Sequence, residues 1–339
     1  MAIDLVALPK VQLHCHLEGT VRAATFRELA ARHRVELGER ADAAQTYTFS
    51  TFREFLLLFA KVCETLRAPD DYARIARDYV VDAASQGVMY AELFVSPSVW
   101  TFFHPELDVR ATVEAIRGAL DETGAPLGVE VALIPDLTRN FGVEKAEASA
   151  RQAVSLRDLG VIGVGLGGDE ANYPAEWYER AYAIAREGGL RAVAHAGEAS
   201  GAESVRAAVE VLAAERIGHG VRAIEDPGVV ALLAERKIPL EICPTSNRLT
   251  GAAPADVIHP IGALDAAGCI VTLDSDDPAL FGTTLIDEYR LVASWLGEEA
   301  VLRFAANGIE ASFASAESKE RHRARLEASR KPSLARRSM

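Results

Sequence analysis

Short, nearly unbroken runs of Val, Ile and Leu recur along the chain. Between them lie longer stretches in which apolar residues return every three or four positions. The runs predict eight strands, at 11–16, 88–95, 129–135, 161–166, 191–195, 216–219, 238–243 and 270–274. Runs that are apolar on both faces, rather than alternating, suit strands buried on both sides of a parallel sheet. The intervening stretches predict amphipathic helices. In 70–86, Tyr72, Ile75, Ala76, Tyr79 and Ala83 share one face, and Gly87 stops the helix before the next strand. Eight β-α units of this kind predict an α/β fold, a (β/α)8 TIM barrel. The longest insertion, 20–86, follows the first strand and predicts extra helices over the C-terminal mouth of the barrel. With no linker, low-complexity segment or further repeat, residues 1–339 are expected to form one domain.

The polar residues that interrupt this pattern gather at predicted strand ends. His14 and His16 end the first strand two positions apart, so their side chains point the same way and Cys15 points the other. Two adjacent neutral imidazoles can begin a divalent metal site, or can simply be polar residues at a strand end. His195 ends the fifth strand and His219 the sixth, and Asp276 and Asp277 follow the eighth. In a barrel all of these converge on one mouth, which makes metal binding the expectation. Adjacent acids before Pro278 can also be a turn or a helix cap. At a metal they can split roles, one ligating and one meeting the substrate. Glu198, three residues after His195, is placed either to shuttle a proton at a metal-activated water or to favour a helix N-terminus. His33, His104 and His322 are expected at the surface, and His259, before Pro260, at the start of a helix.

Composition narrows the partners. The 339 residues are 49% apolar, enough for a large core, and carry a formal net charge of −13. An acidic chain repels a phosphate backbone, so no nucleic-acid partner is expected. The basic run 321–337 is expected to be a solvated helix end and a frayed tail. Cys15, Cys63, Cys243 and Cys269 form no CxxC pair, so neither a zinc ribbon nor a disulfide framework is expected. The N-terminal MAIDLVALPK has no basic start followed by an apolar run, and no stretch reaches the roughly eighteen apolar residues of a membrane span. A cytoplasmic protein with no membrane partner is therefore expected.

The segments PKVQLHCHLEGT, GGDE, HAGE, RIGHG, CPTSN and SDDPALFGT occur in this order between Pro9 and Thr283, and NGIEASF follows. Each is short, but the ordered set resembles the adenosine deaminase family. The resemblance implies one zinc ion per chain, held by His14, His16, His195 and Asp276. It implies that Glu198 and His219 are catalytic, Glu198 moving protons at ring nitrogen N1 and His219 orienting the attacking water. Asp277 would bond N7 and the backbone of Gly168 would meet N3. Water would attack C6 and ammonia would leave. Phe52, Phe55, Leu56 and Phe59 resemble the apolar gate helix of the family, and fit an ordinary packed helix equally well.

The substrate is an adenine derivative with several candidates. Glu18 stands where nucleoside-deaminating members usually carry an Asp that contacts ribose. GVGL and the Phe94 of AELFVSP also resemble the adenine branch, whereas GGDE and CPTSN resemble the nucleoside branch. Adenosine or 2′-deoxyadenosine is the first expectation, with adenine or aminodeoxyfutalosine as alternatives. A purine-binding barrel without catalysis would be expected to lack Glu198 or a zinc ligand. A two-metal hydrolase would be expected to carry a Lys at a central strand end, and none stands there.

Overall fold

The computed structural model describes residues 3–36 and 47–330. Its strands are β1 (Lys10–His16), β2 (Val88–Val95), β3 (Glu130–Pro135), β4 (Gly163–Val164), β5 (Arg191–Ala196), β6 (Arg216–His219), β7 (Leu240–Ile242) and β8 (Val271–Leu273). All eight fall where the apolar runs predict them. Every residue of β1 and of β2 is buried, the polar Lys10, Gln12, His14, His16 and Glu92 among them, so both faces of these strands are packed. The strands pair in parallel in chain order, β1 to β3 and β4 to β8.

Backbone hydrogen bonds also join the two groups. At one junction Leu133 accepts from the amide of Ile162 at 3.0 Å, and Pro135 accepts from that of Gly165 at 3.0 Å. At the other, His16 donates to the carbonyl of Asp276 at 2.9 Å, and Asp276 to that of His14 at 3.0 Å. The architecture is the TIM barrel. β4 is much shorter than the expected 161–166, because Gly163, Gly165 and Gly167 interrupt it and its pairing continues only as isolated bridges at Val161 and Gly165.

Helices cover the outside, with their apolar faces turned inward. Pro69–Ser85 buries the predicted stripe of Tyr72, Ile75, Ala76, Tyr79 and Ala83. Pro69 begins it where no amide hydrogen bond is needed. Gly87 then turns the chain with φ +76°, where an added Cβ would lie 2.7 Å from the carbonyl oxygen of Leu8. The insertion after β1 supplies Ala23–His33 and Phe52–Thr65, the latter capped by Thr51, whose hydroxyl accepts from the amide of Glu54 at 3.2 Å. Inside the barrel, Phe94, Ile134 and Val193 form a small separate cluster with Phe313.

Three surface expectations change. His104 is buried and bonds the carbonyl of Glu64 at 3.0 Å. His322 is buried because the helix Ala316–Arg330 docks through Ser318, His322 and Leu326. The basic run is therefore a packed helix as far as Arg330, with Arg321 and Arg323 paired to Glu130 and Glu310. Its expected tail lies outside the described residues. His33 is half-buried against Asp71. His259 behaves as expected, its Nδ1 accepting from the amide of Ile261 at 3.2 Å at the start of a helix. All four cysteines are free and buried.

Candidate active site

The pleat of β1 sends His14 and His16 to the same side, and the ends of β5 and β8 bring His195 and Asp276 to meet them. His16 Nε2 lies 3.1 Å from His195 Nε2, and Asp276 Oδ1 lies 3.5 Å from His14 Nε2 and 3.4 Å from His16 Nε2. One ligand atom from each of the four residues falls within 4.8 Å of all the others. His14 donates from Nδ1 to Glu241 Oε2 at 2.9 Å, which leaves its Nε2 lone pair aimed at the common centre. That Nε2 is buried with no hydrogen-bond partner. Two imidazole nitrogens facing each other across 3.1 Å beside a carboxylate are what a shared cation would reconcile, so the donor set fits a zinc ion. Asp276 adopts φ +61°, a left-handed conformation that Asp tolerates better than most residues. Its Oδ2 accepts from the hydroxyl of Ser246 at 2.7 Å.

The remaining predicted residues surround this cluster. His219, with φ +60°, accepts at Nδ1 from the amide side chain of Asn247 at 3.0 Å. Its Nε2, 3.6 Å from Glu198 Oε2 and 3.9 Å from Asp276 Oδ2, therefore carries the ring proton. Burial pulls its pKa down to about 3, so the ring is neutral. His219, Cys243 and Asp276 could also hold an ion on distance alone, but burial raises the Cys243 thiol well above its usual range, which argues against a thiolate ligand. Burial, reinforced by the charge of Asp276, raises the carboxyls of Glu198 and Asp277 well above the usual carboxylate range. Both shifts favour the protonated form. Gly168 (φ +102°) exposes backbone to the cavity, where a Cβ would lie 2.4 Å from Asn140 Oδ1.

These groups form the floor of a cavity of about 730 Å³. Phe52, Phe55, Leu56 and Phe59 roof it, Phe55 stacking on Phe281 at 4.8 Å. Leu57 and Phe102 stand at its rim, 61% and 62% exposed. Glu18 lies away from the cavity lining. Its Oε1 accepts from the amide of Ser96 at 2.8 Å and from the indole of Trp100 at 2.6 Å.

Several supporting residues escaped the sequence reading. Beneath His14, Glu241 accepts from Arg216 Nε at 2.5 Å, and Arg216 Nη2 donates to Glu92 at 2.5 Å, all three fully buried. The Arg216 guanidinium lies 3.8 Å over the ring of Phe313. Asp136 Oδ2 lies 3.5 Å from His16 Nδ1. Room for Asp136 exists because residue 165 is glycine: a Cβ there would sit 2.2 Å from Asp136 Oδ1 and 2.7 Å from the ring of Phe94. The signal was a charged residue inside an apolar strand, as in AELFV, RIGH and PLEIC.

A parallel barrel with three imidazoles and a carboxylate gathered at the C-terminal ends of its strands is a hydrolase of the amidohydrolase type. The adenosine deaminase family model matches residues 9–329, and the chain belongs to that family of hydrolytic deaminases. It is 38% identical over 330 residues to an aminodeoxyfutalosine deaminase of Streptomyces avermitilis, covering 95% of this chain and 91% of that one. It is also 38% identical over 331 residues to an adenine deaminase of Chelativorans sp., covering 96% and 98%. Among solved structures, an adenine deaminase from Arthrobacter aurescens superposes with a TM-score of 0.89 at 32% identity, covering 95% of this chain and 99% of that one. An amidohydrolase from Burkhoderia ambifaria with bound Zn superposes at 0.87 and 30% identity, covering 96% and 91%.

Proposed function

We propose that this chain hydrolyses the 6-amino group from an adenine ring, with one zinc ion held by His14, His16, His195 and Asp276. The observation that carries this reading is the match between floor and ring. Adenine offers acceptor nitrogens at N1, N3 and N7. The cavity floor offers the protonated carboxyl of Glu198, the backbone at Gly168 and the protonated carboxyl of Asp277. Glu198 supplies its proton to N1, which draws electrons from C6; its carboxylate then takes the proton released by the attacking water and passes it to the amino group, which leaves as ammonia as the C6–N bond breaks. Asp277 donates to N7, and the Gly168 backbone meets N3. His219, neutral with its proton on Nε2, orients the attacking water and stabilises charge as it develops. A zinc ion, when bound, supplies Lewis-acid activation of that water.

The substrate that fits best is a 5′-modified adenosine of the aminodeoxyfutalosine kind. A cavity of about 730 Å³ suits a ligand well beyond a bare purine, and a relative at 38% identity bears that name. Adenosine, the first expectation from GGDE and CPTSN, gives way because neither relative is named for it. Adenine is the second reading, favoured by the adenine deaminase that superposes at 0.89. The deciding assay is ammonia release by the zinc-loaded enzyme on aminodeoxyfutalosine, adenine and adenosine side by side. The highest kcat/KM on aminodeoxyfutalosine supports the first reading, and on adenine the second. No ammonia from any of them overturns the reaction itself.

A further inference from the structure

Glu170, the last residue of GGDE, has no place in the donor set, yet its carboxylate accepts five hydrogen bonds. It is 3% exposed. Its Oε1 accepts from the amide of Gly197 at 2.7 Å and the hydroxyl of Ser204 at 2.5 Å. Its Oε2 accepts from the amides of Glu198 at 3.1 Å, Ala199 at 2.6 Å and Ser200 at 2.9 Å. Four consecutive amides thus converge on one carboxylate, the concave backbone arrangement that binds anions. The turn that supplies them begins at Gly197 (φ +70°) and carries Glu198.

The same loop is tied to β5 from the other side. Arg139, fully buried, donates from Nη1 to the carbonyl of Tyr173 at 2.7 Å and from Nη2 to the carbonyl of His195 at 2.7 Å. Arg139, which follows β3, therefore joins the segment after β4 to the backbone of a proposed zinc ligand, and Glu170 in that segment holds the turn that follows the same strand.

We propose that Glu170 is a positioning residue for Glu198, holding the 197–200 turn so that the Glu198 carboxyl stays over the reacting ring; this rests on the deaminase reading above. Without Glu170 the four amides have no common acceptor. The turn then relaxes by rotating its peptide units, and Glu198 moves with it. Displacement of a catalytic group by about 1 Å is enough to cost roughly a hundredfold in rate.

Glu170→Gln tests this with almost no change in volume. An amide keeps one accepting oxygen but turns an N–H2 group toward donors on the other side. In zinc-loaded enzyme we expect kcat to fall about 10- to 100-fold, with KM and zinc content within about twofold of wild type. Amide hydrogen exchange at 197–200 should accelerate. In a Glu198→Gln background, under single-turnover conditions, the same change should cost less than about threefold, because its effect runs through Glu198. An equal loss in both backgrounds, or unchanged kcat, overturns the positioning role. If Glu170→Gln fails to fold, Glu170→Asp serves. It keeps the charge and loses one methylene of reach, and it should show the same split, with failure to do so counting against the proposal. A wild type that releases no ammonia from any 6-aminopurine removes the deaminase reading and this role together, whereas an active wild type with an indifferent Glu170 removes only the role.

Discussion

Replacing Glu18 by Gln separates charge from shape at a buried carboxylate. Burial, opposed by the bonds from Trp100 and Ser96, pushes this carboxyl up from 4.5 to about 7, and its Oε2 has no partner. The unfolded chain releases the proton near pH 4.5, the folded protein only near 7. The stability Glu18 contributes is therefore fully present below pH 4.5 and is lost as pH rises through 7. At about 1.4 kcal/mol per pH unit, wild type should lose roughly 2–3 kcal/mol through this one group between about pH 5 and pH 8. Gln keeps an oxygen for Ser96 and Trp100 and does not ionise. The cost of burying its amide is the same at both pH values and cancels in the comparison. Urea unfolding of both proteins, zinc-loaded and followed by circular dichroism, should show the variant gaining on wild type by roughly 2–3 kcal/mol from about pH 5 to pH 8. A gap independent of pH would refute the reasoning and mean that Glu18 titrates normally inside the fold.

Gly165→Ala should drive a methyl into Asp136 and Phe94, costing about 1–3 kcal/mol of stability. Because Asp136 lies beside His16, zinc affinity measured against a chromogenic chelator should fall about 10- to 100-fold; unchanged affinity would show that Asp136 does not support His16. Asp277→Asn keeps a donor for N7 and should stay within about tenfold of wild-type kcat/KM, whereas Asp277→Ala should lose about 1–3 kcal/mol of transition-state binding, up to a hundredfold. Equal losses in the two variants would mean that Asp277 acts by charge rather than by donation. Arg216→Met strands Glu92 and Glu241 without a cation in the barrel interior, and urea unfolding should register a loss of about 3–5 kcal/mol. A loss below about 1 kcal/mol would mean those carboxyls are neutral in the folded protein.

The strand positions and the converging histidines were legible because most strands are short, largely apolar segments and the histidines stand at or near the C-terminal ends of β1, β5 and β6. A hydrophobic pattern with His14, His16, His195 and His219 at its punctuation points leaves few arrangements. The supporting layer was hidden for the opposite reason. Glu92, Arg216 and Glu241 sit in strands, where periodicity treats a charge as noise, and only the folded sheet shows that Arg216 pairs with both carboxylates. Glu170 was passed over because GGDE draws attention to the backbone at Gly168. His322 was misread because its neighbours are charged, and docking of the helix Ala316–Arg330 buries it regardless. Substrate size was illegible because it depends on where the Phe52–Thr65 roof and the Phe102 rim stand above the floor.

The junction between β8 and β1 gives the metal cluster a second meaning. His14 and His16 belong to the first strand and Asp276 follows the last, 262 residues after His14. Two backbone hydrogen bonds join them there, alongside those that Asp274 accepts from the amides of Leu13 and His14. An ion bound by all three residues is therefore a clasp on the hoop as well as a reagent. It would draw together the first and last strands of the barrel. Assembling the candidate metal site therefore requires the first and last strands of the barrel to meet.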